Sequence, residues 1–258
     1  MAGPVERQPE NAARRRWGRW VVYAIPLMLV AVLQITYLVA PQFYLTYVIE
    51  YRNRENQAVE IITFGCAFLG SLCMFWSAWR LRRPNLPWRL RIGPLLRDRG
   101  AFLIVGGLAL ATLFFAGEEI SWGQTYLQWQ TPDTYKEVFG GGETNLHNTD
   151  LNIKTLADLF LVVMFFALPI LWSRGRPVKL PVSWAPAIPE GPVVFCMAVA
   201  FAWRLYKNVY RQISSEEGLF YRQFVEQIAE HKEMLAAVSL LMYGIFRVAA
   251  AREEGGKA

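Results

Sequence analysis

The chain has 258 residues, 54% of them apolar and 14% aromatic, and carries a formal net charge of +6. That is too apolar for an ordinary soluble domain, and the hydrophobicity comes in blocks, as in a multi-pass membrane protein. The basic excess by itself would suit nucleic acid, but the charges sort by membrane side, so the expected partner is the lipid bilayer and not a polynucleotide.

The polar N-terminus, residues 1–20, places Arg14, Arg15, Arg16 and Arg19 just before an apolar run at 21–40. That run is about twice as long as a signal-peptide core, so it reads as a retained first span behind a basic cytoplasmic tail. Pro26 lies inside it as a potential kink. Residues 41–58 mix Tyr44, Tyr47 and Tyr51 with Arg52, Arg54 and Glu55, a pattern of interfacial helices. A second span occupies 61–79. From Arg80 to Gly100, seven arginines and three prolines read as an irregular cytoplasmic loop.

The third span, 101–119, delivers Glu118 and Glu119 to the far side. Its uncharged run, Ala101 to Gly117, covers roughly 25 Å of a core about 30 Å thick, so the pair sits near the outer interface. Residues 125–154 form a long outer loop, with a short helix started by Thr131-Pro132-Asp133. The fourth span is 156–172, with Asp158 in its first turn. Shorter apolar runs give a fifth at 191–206, with Arg204 snorkelling from its end, and a sixth at 233–250, with Arg247 doing the same. Ser214-Ser215-Glu216-Glu217 is a capping box for the last helix, and Glu226, Glu230 and Glu233 share a face of it. Residues 251–258 form a cytoplasmic tail. The expected fold is thus all-α: one integral-membrane bundle of about six transmembrane helices with both termini cytoplasmic. This arrangement puts 18 of the 27 basic residues but only 6 of the 21 acidic ones on the inner side. Cys66, Cys73 and Cys196 fall within apolar runs and read as packing residues without disulfides.

The polar residues that remain gather on the outer side. Adjacent carboxylates at the end of an apolar helix need compensation, and they also oppose the helix dipole. One reading is an ion-pair network with Arg52, Arg54, Arg204, Arg211 or Arg222 that joins helix ends. The other is chemistry. Glu118 and Glu119 would then act in acid–base catalysis or as metal ligands, with His147 and Glu60 or Glu226 completing an oxygen and nitrogen set suited to a divalent metal such as zinc. Ser121, three residues from Glu118, would share its face on a helix, and His147 is the base available to activate it as a nucleophile. Trp122, Gln124, Asn145, Asn148, Arg222, Glu226 and Glu230 would form the surrounding substrate contacts. Trp122 and Trp129 also fit an interfacial aromatic belt. His231 reads as an interface residue. There is no HExxH, no CxxC and no pair of histidines at helical spacing.

The stretches Gly117–Gln124 (GEEISWGQ) and Glu143–Asn148 (ETNLHN), with a Trp- and Pro-containing linker between them, resemble a group of uncharacterised bacterial multi-pass membrane proteins. The resemblance implies a bacterial inner-membrane protein in which both stretches work as one unit, and it brings no activity with it. The alkaline-ceramidase and progestin-receptor-like hydrolases set Glu, Ser, Asp and three His around zinc. This chain, with two histidines and no HxxxH on its last helix, departs from their pattern. Two functions remain: a membrane-embedded enzyme acting on a lipid or lipid-linked substrate at the outer face, or a non-enzymatic transporter or assembly partner. Neither names a protein partner.

Overall fold

The structure, a computed structural model, describes residues 9–48, 58–82, 92–127, 130, 132–133, 153–174, 182–213 and 219–255. Every regular element among these is helical. Helix α1 is Pro9–Val39, α2 is Ala58–Leu81 and α3 is Ile92–Glu119. Helix α4 (Ile153–Val162) passes through a π-helical turn, Val163–Ala167, into α5 (Leu168–Arg174). Pro169 has no N–H to offer the carbonyl of Phe165, and the helix widens just ahead of it. A 3₁₀ turn, Val182–Ala187, precedes α6 (Gly191–Ile213), and α7 (Leu219–Gly255) ends the chain.

Among the described residues, five stretches are long and apolar enough to cross a membrane: Trp20–Val39, Ala58–Leu81, Arg99–Glu119, Thr155–Ser173 and Glu230–Arg252. The apolar part of α6, Gly191–Tyr206, is shorter. The fold is therefore an all-α membrane bundle. Two boundaries differ from the sequence reading. Helix α1 begins within the basic N-terminal segment. The second half of the arginine-rich loop is also helical, because Pro94 falls in the first turn of α3, where its missing N–H is unneeded. The backbone of α3 departs from helical geometry at Arg99 (φ −125°, ψ 15°), where the membrane-length stretch begins.

The last helix is the centre. Of its membrane-length stretch 61% is buried, against 11% for α1. It packs on α2 and α6; α2 also packs on α3, and α1 on α6. Small residues allow the closest approach. A Cβ on Gly70 would lie 2.9 Å from the Leu241 backbone nitrogen, and one on Gly244 would lie 2.8 Å from the Gly70 carbonyl oxygen. Between α2 and α3, Ser71 donates a hydrogen bond to the Ala109 carbonyl at 2.9 Å. Tyr23 of α1 packs edge-on against Phe195 of α6 at 5.4 Å.

Polar groups sort to the two ends of the bundle. At one end Arg247, 7% exposed, pairs with Glu190, donates to the Pro186 carbonyl and lies over the Tyr243 ring at 5.4 Å. Tyr243 in turn donates to the Ala187 carbonyl at 2.8 Å. Arg247 therefore does not snorkel out, as the sequence suggested. It clamps the turn before α6. Arg204, near the far end of the apolar part of α6, pairs with Asp158 of α4.

Candidate functional site

Helix α3 stops at Glu119 because the backbone reverses. Ser121, Trp122 and Gly123 have φ of 47°, 55° and 80°, three successive residues in the left-handed region. The Gly123 amide donates to the Ile120 carbonyl at 2.7 Å and closes the turn. For the non-glycine residues this conformation is costly, on the order of 1–2 kcal/mol each, and contacts of the Trp122 side chain hold it. Its indole N–H donates to Glu118 Oε1 at 2.6 Å, and its ring packs edge-on against Phe114 at 5.4 Å. The same ring lies over Gly117, where a Cβ would come within 2.7 Å of it. Four residues of the GEEISWGQ stretch thus acquire structural roles: Gly117 makes room, Glu118 accepts, Trp122 folds back and Gly123 completes the turn. The helical alignment of Ser121 with Glu118 does not exist, because the helix has already ended. Nor is Trp122 simply a belt residue, since its polar edge is spent on Glu118.

Below this turn, α3, α4 and α7 enclose a cavity of about 410 Å³, within the range of small-molecule sites. Helix α3 supplies Leu108, Thr112 and Phe115, α4 supplies Phe160 and Leu161, and α7 supplies Ala236 and Leu240. The walls are apolar along most of their length and charged at one end, where Glu118, Glu119, Asp158, Lys232 and Glu233 meet. From Leu108 to Glu119 the groove runs about 16 Å at 1.5 Å per residue, close to half of a core about 30 Å thick. It has the depth of one membrane leaflet. Within it, Thr112 is 2% exposed and its hydroxyl has no hydrogen-bond partner. A buried hydroxyl in that state costs roughly 1–3 kcal/mol, which a polar ligand atom would relieve.

Asp158 binds the charged end together. Lys232 donates to its Oδ1 at 2.7 Å, and Arg204 pairs with its other oxygen, so one carboxylate joins α4, α6 and α7. The sequence places Asp158 in the fourth span and Glu233 on the acidic face of the last helix, but it points to neither Lys232 nor Thr112 and gives Asp158 no role at the site. A lone aspartate in the first turn of an apolar helix was the available signal.

No protein-family model, curated protein or solved structure matches the chain.

Other sequence candidates fall as follows. Glu118 and Glu119 line the groove; Ser121, Trp122 and Gln124 follow it in the turn and in the short helix Gln124–Leu127. Arg222 and Glu226 lie in the first part of α7, ahead of the groove. Glu230 lies on the Tyr44 side of α7 and is not a groove wall. Asn145, His147 and Asn148 lie outside the described residues, as does most of the Thr131–Asp133 helix and the capping box. Among the described residues no three His, Cys, Asp or Glu side chains gather to hold a metal ion.

His231 is wholly buried. Its Nε2 is hydrogen-bonded to the Tyr44 hydroxyl. Tyr44 follows a break at Ala40 (φ −139°, ψ 64°), which turns the chain back so that this ring is fully buried against Tyr37. Tyr44 thus faces the bundle, while Tyr47 is 61% exposed. Burial pushes the Tyr44 phenol well above its ordinary pKa, with Tyr37 and Glu230 adding to the rise.

Proposed function

We propose that the chain is a bacterial inner-membrane protein whose groove between α3, α4 and α7 receives a lipid or lipid-linked substrate. The observation that carries this reading is the groove itself: a leaflet-deep apolar wall ending in five charged side chains, with an unpartnered hydroxyl partway down. An acyl or isoprenoid chain would lie along Leu108, Phe115, Leu161 and Leu240, and its headgroup among Glu118, Glu119, Lys232 and Glu233. The positive-inside pattern orients the arginine-rich end and both termini toward the cytoplasm, and the charged end toward the outer face. Helix α6 then completes an even number of crossings, a reading supported by the ties that flank its apolar part, Glu190 to Arg247 and Arg204 to Asp158.

At the headgroup Glu119 is the group proposed for proton transfer, with Glu118 oriented by the Trp122 indole. The likeness of GEEISWGQ and ETNLHN to a bacterial group supports adding His147 to the same unit, alone or as a ligand, with Glu118, for a divalent metal. A second reading is favoured by Asp158: a carboxylate joining three helices is what a non-enzymatic bundle would use as a structural clasp.

Filling the groove separates these readings. Ala111 is an exposed residue of the groove wall, so Ala111→Trp would occupy the space without disturbing the Asp158 clasp. Lipid analysis of purified protein is expected to find one lipid class enriched on the parent chain and lost from Ala111→Trp at equal yield. Equal lipid content in both would leave only the clasp.

A further inference from the structure

A second groove lies between α2 and α3 toward the opposite end of α3. Its volume is about 810 Å³. Helix α2 contributes Phe75, Ala78 and Trp79, and Arg82, the residue just past its end, continues the spacing i, i+3, i+4 and i+7. Helix α3 contributes Arg99, Phe102, Leu103, Gly106, Gly107 and Leu110 with the same helical period. The floor is low because two glycines stand side by side. A Cβ on Gly107 would meet nothing within 4 Å, and one on Gly106 would come only within ordinary contact of Ala78, at 3.8 Å. Trp79 and Leu110 are 53% and 61% exposed, so this trough opens sideways toward lipid.

Its chemistry is the reverse of the first groove. Among the described residues the walls carry two arginines, both at one end, and no carboxylate. The Arg82 guanidinium is held 4.9 Å from the centre of the Trp79 ring, and Arg99 is 6% exposed at the kink that opens the apolar part of α3. From Arg99 to Leu110 the trough again runs about 16 Å, one leaflet in depth.

We propose that this trough is a binding site for an anionic phospholipid, with its phosphate between Arg82 and Arg99 and one acyl chain lying over Gly106 and Gly107. Guanidinium groups suit phosphate oxygens, and stacking on Trp79 presets the Arg82 fork. Basic pockets between transmembrane helices are suited to such headgroups. The site is independent of the α3/α4/α7 groove and of any reaction there.

The test is native mass spectrometry of the full chain released from nanodiscs of equimolar phosphatidylglycerol and phosphatidylcholine. The parent chain should retain phosphatidylglycerol in preference to phosphatidylcholine. Arg82→Gln should lower that preference about fivefold, the effect of one basic residue near an anionic lipid surface. Gly107→Leu should abolish it with every charge intact, because the leucine fills the trough at a position where nothing else is displaced. Retention of phosphatidylglycerol by Gly107→Leu at the parent level would reveal diffuse surface charge and overturn the site. So would equal retention of the two lipids by the parent chain, or an unchanged preference in Arg82→Gln. If Gly107→Leu fails to elute as a single species, the Arg82→Gln comparison decides.

Discussion

Gly117 has no side chain because the Trp122 ring occupies the place where one would go, so adding a methyl there carries a definite consequence. Gly117→Ala should destabilise the protein by about 1–3 kcal/mol, as overpacking does, and should loosen the indole from Glu118. Gly107→Ala, in open space on the same helix, should instead be neutral or stabilising by up to about 1 kcal/mol. Reversible unfolding in mixed micelles measures both, and equal effects would remove the proposed role of the turn. Tyr44 adds a pH dependence. The unfolded phenol ionises near 10.0, whereas the folded one is held higher by burial and stays neutral. The folded state therefore keeps this contribution below that pH and loses it as the pH rises beyond. Tyr44→Phe should flatten the alkaline decline in melting temperature, while lowering stability at neutral pH by about 1–3 kcal/mol because His231 loses its partner.

Among the elements, α4 is joined to α6 and α7 through Asp158. The partners of Asp158 are partly exposed, so Asp158→Ala should cost about 1.5–3 kcal/mol, the scale of hydrogen bonds to a charged group. Combining it with Lys232→Met should recover part of the loss, and a double-mutant cycle should give a coupling of at least roughly 1 kcal/mol. Additive effects would mean that the contact does not bind the helices. The elements themselves were legible in the sequence because long apolar runs must become helices inside a bilayer. The partners of their charges were not. Asp158 and Lys232 are separated by 74 positions, and nothing local to either names the other. Arg204 was read as a companion for Glu118 or Glu119, a reasonable match of charge, but packing brings it to Asp158. The end of α3 was also hidden, since Ser121 and Trp122 are ordinary residues that take left-handed geometry only because the ring can fold back. Tyr44 looked interfacial by composition. The break at Ala40 turned it inward.

At the scale of the whole molecule, two leaflet-deep troughs lie among the described residues at opposite ends of α3, one acidic and one basic at its polar mouth. Both follow from α3 carrying apolar residues at helical spacing between charged ends, while its neighbours leave part of that surface uncovered. The acidic trough supports the proposed site, and lipid capture in living cells tests it most directly. A photoreactive amino acid placed at Phe160, in the groove, is compared with one at Leu38, 75% exposed on the outer surface of α1. Bulk lipid surrounds both positions, so the readout is which lipid becomes attached. The account predicts one lipid class strongly enriched at position 160 and the bulk composition at position 38; adducts of the same composition at both positions would contradict it.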